Sequence, residues 1–142
     1  MITVIAETDD FIVVNKPAGL IVHGDGERSV LSLLKGQLGT NCLHPVHRLD
    51  KDTSGILVLA KTDEANRELC QAFAAREVTK FYVALTSGKP KKKQGAIKGD
   101  MAKGRGGSFK LLPTKANPAI TYLKSFGYEG APRLWLLKPV TG

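Results

Sequence analysis

Polar groups able to do chemistry are crowded into one stretch, His47-Arg48-Leu49-Asp50-Lys51-Asp52-Thr53-Ser54-Gly55, immediately before the apolar run Ile56-Leu-Val-Leu-Ala60 and Lys61. A loop tied at one end to a buried strand is held still while its other residues face a ligand, which suits an active site. Asp50 carries a carboxylate of reference pKa about 3.9, ionised at neutral pH, and can serve as a nucleophile or a general base. Arg48 and Lys51 can bind phosphate or hold that carboxylate. The competing reading of the same residues is a capped, salt-bridged turn without chemistry.

Other familiar sites fail on spacing. Gly24-Asp-Gly26 has Ser29 where a dinucleotide fingerprint needs its third glycine, and no Walker lysine follows a glycine loop. Asp52 stands where a nucleophile elbow before Ser54 needs glycine. Cys42, His44 and His47 could offer three zinc ligands, but no fourth lies at a known spacing, so no metal is expected. Cys42 and Cys70 are too few and too far apart for a disulfide scaffold, and reduced thiols are expected.

The 142 residues predict one domain, 1–142, and 42% hydrophobic with 24% charged residues is the composition of a globular protein. Apolar runs fall far short of the ~18 residues of a membrane span. The start, Met-Ile-Thr-Val-Ile-Ala-Glu, has no basic region like that of a signal peptide, so a cytoplasmic location is expected.

Net charge is +8, unevenly distributed. Residues 1–79 hold 8 basic and 11 acidic residues, whereas 80–115 hold 10 basic and one acidic. Concentrated positive charge attracts polyanions. Because Lys89-Pro-Lys-Lys-Lys93 and the glycines that follow cannot form an amphipathic helix, nucleic acid is favoured over a membrane. Lys91, Lys92 and Lys93 are candidate phosphate contacts, in a basic arm spanning about 89–110.

The elements that must position these groups follow from periodicity. Val4-Ile5 and Phe11 to Val14, separated by Thr8-Asp9-Asp10, read as a hairpin, and Leu20 to Val22 as a further short strand. Val30, Leu31, Leu33 and Leu34 predict a short helix ending at Gly36. Thr62 caps a second helix whose apolar side carries Ala65, Leu69, Ala72 and Phe73. Strands are expected at Lys80 to Leu85, Ile120 to Phe126 and Leu134 to Val140. The last is apolar on both faces and should be covered on both and paired at its edges. The sum is an α+β domain on a mainly antiparallel, mixed sheet with a few flanking helices.

The motif His47-Arg-Leu-Asp50, two residues, Thr53-Ser-Gly55, then an apolar strand ending in Ala60-Lys61, resembles the signature of the RluA-type pseudouridine synthases of the RluA/RsuA family. Val13-Val-Asn-Lys-Pro-Ala-Gly19 resembles the family's early strand and turn, and Arg76-Glu-Val-Thr-Lys80-Phe-Tyr82 its second motif. The resemblance runs from about Ile5 to Gly142. It implies the pseudouridine synthase catalytic fold and isomerisation of a uridine within ribosomal or transfer RNA. Asp50 would be the catalytic carboxylate, and Tyr82 would stand against the flipped uracil. Arg48, Thr53 and Lys80 would contact substrate, as would His47, which could equally be a structural hydrogen-bonding residue; on the strand expected at Lys80 to Leu85, Lys80 and Tyr82 share a face. No cofactor is implied, and a monomer is expected. The family's third motif supplies a basic partner for the aspartate just beyond the point this sequence reaches, so the C-terminal part of the domain is expected to be missing and these residues alone to be inactive. The alternative from another class is a non-catalytic RNA-binding module using the basic arm and the aromatic strand.

Overall fold

The computed structural model describes residues 1–24, 28–88, 91–127 and 132–141, whose backbone forms two compact units, Met1–Ala75 and Arg76–Gly142. Each is considered by itself.

In the first unit, β1 (Thr3–Glu7) and β2 (Phe11–Lys16) form the expected hairpin, closed by Thr8, whose backbone N–H donates to the Phe11 carbonyl at 2.9 Å. Helix α1 (Val30–Leu38), the short β3 (His44–Pro45), β4 (Gly55–Ala60) and helix α2 (Asp63–Ala74) follow. The sheet order is β1-β2-β4-β3, with every ladder antiparallel. Alternation along β2 buries Ile12, Val14 and Lys16 on one face, in register with Leu59, Leu57 and Gly55 of β4. Val30 and Leu34 of α1 complete this core. The opposite face of β4 presents Val58 and Ala60 to Ala65, Leu69 and Phe73 of α2. Coverage from both sides explains why the run is apolar throughout, and each fully buried leucine contributes roughly 1.5–3 kcal/mol.

Two boundaries differ from the sequence expectation. Helix α1 passes through Gly36 and stops at Gly39, whose φ of +65° supplies the left-handed cap. One interior glycine costs about 1 kcal/mol, which the packing of Leu34 offsets. Leu20 to Val22 is not a strand: only a bridge between Ile21 and Ser29 forms there. The Ile21 and Val22 carbonyls instead accept the Val30 and Leu31 N–H groups, satisfying the first turn of α1.

The second unit contains β5 (Tyr82–Ser87), β6 (Gln94–Gly99), β7 (Met101–Lys103), β8 (Phe109–Leu111), β9 (Ala119–Phe126) and β10 (Pro132–Pro139). Four strands pair antiparallel in the order β5-β10-β9-β6, and β7 with β8 forms a separate hairpin. The stretch read as a basic arm is therefore largely paired backbone from Gln94 onward, because Ile97 and its neighbours join β9 by a ladder. Lys89 and Pro90 lie outside the described residues. Strand β10 is paired along both edges, by β5 and β9. Its faces differ: Trp135 and Leu137 are half-buried, whereas Leu136 is exposed, as is Val83 opposite it on β5. With two α-helices among the described residues, both in the first unit, and antiparallel sheets in each unit, the chain is α+β.

Candidate active site

The loop between β3 and β4 is built from its ends inward. Strand β3 stops after Pro45, and farther along β4 the Val58 N–H donates to His47 Nε2 at 3.0 Å. The imidazole also stacks on Phe73 of α2, with ring centroids 4.5 Å apart and planes 17° from parallel. His47 thus joins the loop to both β4 and α2, and its Nε2 serves as an acceptor. Leu49 is buried, while Arg48, Asp50, Lys51 and Asp52 on either side of it are exposed. The Thr53 N–H donates to the Asp50 carbonyl at 3.1 Å, tightening residues 50–53 into a turn. Gly55, at φ +130°, turns the chain into β4 through a conformation open to glycine.

A second turn, Asn15 to Gly19, holds the middle of this loop. Lys16 continues the buried row of β2, and its side chain is fully enclosed. Its ammonium donates to the carbonyls of Leu20 at 2.6 Å, Lys51 at 2.9 Å and Pro17 at 3.0 Å. The Gly19 N–H reaches the same Lys51 carbonyl at 2.8 Å. Three acceptors saturate the three protons of an ammonium, which is how a buried lysine is tolerated. Burial pushes the Lys16 pKa below its ordinary 10.5, and the negative charges of Asp52 and Asp50 oppose that shift. A fixed positive charge therefore lies behind the loop that displays the two carboxylates.

Lys16 is not legible in sequence as part of the site, because the motif Asn-Lys-Pro-Ala-Gly reads as turn-shaping. The available signal is the period-2 alternation Ile12, Val14, Lys16, which places a lysine on the core side. Residues 50–53 do form a turn, but none of Arg48, Asp50, Lys51 and Asp52 forms an ion pair with a described residue, so salt bridges among the described residues do not hold it. The contacts fastening the loop are instead hydrogen bonds to its backbone and to His47, which leaves the charged side chains exposed.

The candidates of the second unit occupy different settings. Tyr82 is the first residue of β5, half-buried and in register with Leu137. Lys80 precedes the strand, so the period-2 argument placing Lys80 and Tyr82 on one face does not hold. The strand starts at Tyr82 because its ladder with β10 begins there. Lys91, Lys92 and Lys93 are exposed just before β6, and the Lys93 carbonyl accepts the Ser125 N–H at 2.7 Å. Of the possible zinc ligands, Cys42 Sγ lies 3.6 Å from His44 Nε2, which is 3.3 Å from Asp63, while His47 Nε2 is occupied by Val58. Among the described residues no group of three or more ligating side chains gathers.

Exposed carboxylates on a loop fastened by hydrogen bonds, beside cations that form no ion pair with a described residue, can receive a charged, base-bearing polymer. Comparison with known proteins agrees in kind. The family described as RNA pseudouridylate synthase matches residues 10–142. An uncharacterized RNA pseudouridine synthase of Haemophilus influenzae is 47% identical over 99% of this chain and 63% of its own length. A ribosomal large subunit pseudouridine synthase C of Rickettsia bellii is 41% identical over 84% of this chain and 42% of its own. The structure of human RNA pseudouridylate synthase domain containing 4 superposes with a TM-score of 0.78 at 27% identity, covering 99% of this chain and 59% of that one. The chain thus spans between about two fifths and just under two thirds of these proteins. With the match running through the Asp50 loop and both units, the chain belongs to the RNA pseudouridylate synthase family.

Proposed function

We propose that the protein containing this chain isomerises uridine to pseudouridine within RNA, with Asp50 as the catalytic carboxylate. The observation that carries the reading is the exposed Asp50 on a loop fastened by Lys16, Gly19 and His47. The reaction breaks the N1–C1′ bond and joins C5 to C1′; C5 loses a proton and N1 gains one, so no oxidant or cofactor enters the balance. The fixed loop holds the carboxylate ready to attack C1′ or C6, or to remove a ribose proton. A base within structured RNA must leave its stack to be reached, and Tyr82 is the aromatic group proposed to meet it. Arg48, Thr53 and Lys80 are proposed to contact substrate near the reacting nucleotide, and Lys91, Lys92 and Lys93 to meet its phosphates. For the imidazole of His47, the bond to Val58 favours positioning of the loop over direct contact. Ribosomal RNA is the favoured target, on the name of the Rickettsia relative.

The test is tritium release from RNA carrying uridine labelled at C5, using the full-length protein. Asp50→Asn keeps the shape of the side chain and removes its charge, and turnover should fall by at least ~100-fold while RNA affinity is retained. Substantial turnover by the variant would overturn the assignment and favour a non-catalytic RNA-binding module. Ribosomal and transfer RNA are assayed side by side, and release from transfer RNA alone would reverse the choice of target.

A further inference from the structure

In the first unit the Asp50 loop borders a small, partly open pocket of about 140 Å³, lined by Ile21, Val22, His23, Arg48, Leu49 and Lys51. We propose that it is an anion subsite that takes a backbone phosphate of the RNA next to the target uridine. The proposal rests on the RNA reading above and adds His23, which no motif singled out, to the residues that meet substrate.

The lining sorts into a fixed apolar floor and a basic rim. Val22 and Leu49 are buried, and the backbone beneath them is held on both sides: the Val22 carbonyl accepts from Leu31 of α1, and the Lys51 carbonyl accepts from Lys16 and Gly19. The rim is Arg48, Lys51 and His23, all exposed. None of the three forms an ion pair with a described residue, and no carboxylate is among the described lining residues. Two permanent cations and an imidazole, all solvent-exposed, stand around a concave space where each can donate to an anion. Guanidinium pairs with phosphate in a two-pronged geometry, and ammonium and imidazole N–H groups can complete the cradle. The volume of about 140 Å³ is enough for a phosphate group. Because Arg48 and Lys51 flank Asp50 in sequence, an anion held here lies beside the reacting nucleotide. Phosphate contacts of this kind set register and carry no sequence information.

Two measurements test the subsite. In the first, the full-length protein labelled with ¹⁵N at histidine is titrated with inorganic phosphate; a saturable shift of the His23 ring is expected, and it should vanish in Arg48→Ala/Lys51→Ala. In the second, fluorescein-labelled decauridine is bound at several salt concentrations. His23→Ala and Arg48→Ala/Lys51→Ala should each retain the fold and weaken binding, the double variant by roughly tenfold. The slope of log affinity against log salt should flatten by about 0.7 for each phosphate no longer neutralised. Absence of any His23 shift overturns the anion site. A shift with phosphate but unchanged decauridine affinity and slope in the variants overturns its use by RNA. Failure of the unmodified protein to bind decauridine overturns the use of the subsite by single-stranded RNA, whereas failure to release tritium from ribosomal and transfer RNA alike is failure of the RNA reading itself and removes this assignment with it.

Discussion

At the scale of single residues, Lys16 decides how well the site is held. Replacement by Met preserves most of the volume but leaves the Leu20 and Pro17 carbonyls without their ammonium donor and the Lys51 carbonyl with Gly19 alone. The expected loss is about 1–3 kcal/mol in urea unfolding. The pH dependence has a definite sign. Unfolded Lys16 keeps its proton up to 10.5, whereas in the folded protein burial makes it release the proton earlier. Between those two values the unfolded state binds more protons, so stability rises with pH. The advantage of the unmodified protein over Lys16→Met should therefore grow as pH climbs toward 10.5, and a shrinking advantage would contradict the assigned environment. The charged residues of the Asp50 loop are legible in sequence because they cluster before an apolar run. Lys16 and His23 are not, since their roles depend on which carbonyls and cavities the fold brings to them.

The elements are legible wherever one local pattern dominates. Thr62 and the apolar positions of α2 announce a capped helix, and the Thr62 hydroxyl does accept the Ala65 N–H at 3.1 Å. The expected strand at Leu20 to Val22 fails because its carbonyls serve α1, a tertiary use that no propensity records. The start of α1 offers a direct test. Ser29 and Ser32 cap it reciprocally, the Ser29 Oγ accepting from Ser32 N at 3.1 Å and the Ser32 Oγ from Ser29 N at 2.9 Å. Ser29→Ala should cost about 1 kcal/mol in thermal or urea unfolding, and Leu57→Ala, in the fully buried core beneath the site, about 2–5 kcal/mol. In the second unit, Asp100, the residue after β6, binds the turn that precedes β9. A hydrogen bond from Thr114, then those from the Ala116 and Asn117 N–H groups, hold its carboxyl below the ordinary 3.8. A depressed carboxylate stabilises the fold above its unfolded pKa and loses that contribution as pH falls through the folded one. Asp100→Asn should therefore be less stable than the unmodified protein at neutral pH, with the gap closing during acid unfolding below 3.8.

At the scale of the molecule, charge and fold divide along the same line. Residues 1–79 carry a net −3, and the basic excess lies in the second unit, where exposed Lys91, Lys92 and Lys93 precede β6 and Lys98, Lys103 and Lys110 lie within paired strands. A flexible tail of the same composition could collapse onto any polyanion, but lysines carried on ladders keep fixed spacings and present a surface of defined shape. Sheet pairing of the glycine-rich stretch is hidden in sequence because glycine has low strand propensity, and here the ladder with β9 overrides it. Fixed cations neutralise phosphates and release counterions, so their number can be read from salt dependence. If roughly four residues of the basic segment meet phosphate, log affinity for single-stranded RNA should fall against log salt with a slope of about −3. Changing Lys91, Lys92 and Lys93 together to Gln should flatten that slope by up to about 2 and weaken unrelated RNA sequences equally, because phosphates carry no base identity. Their exposure makes the substitution neutral for stability, so unfolding by urea should be unchanged within about 0.5 kcal/mol. Fluorescence anisotropy with two RNAs of different sequence reads both effects: an unchanged slope would make the lysines a solvated edge of the sheet, and weakening confined to one sequence would mean that they read bases.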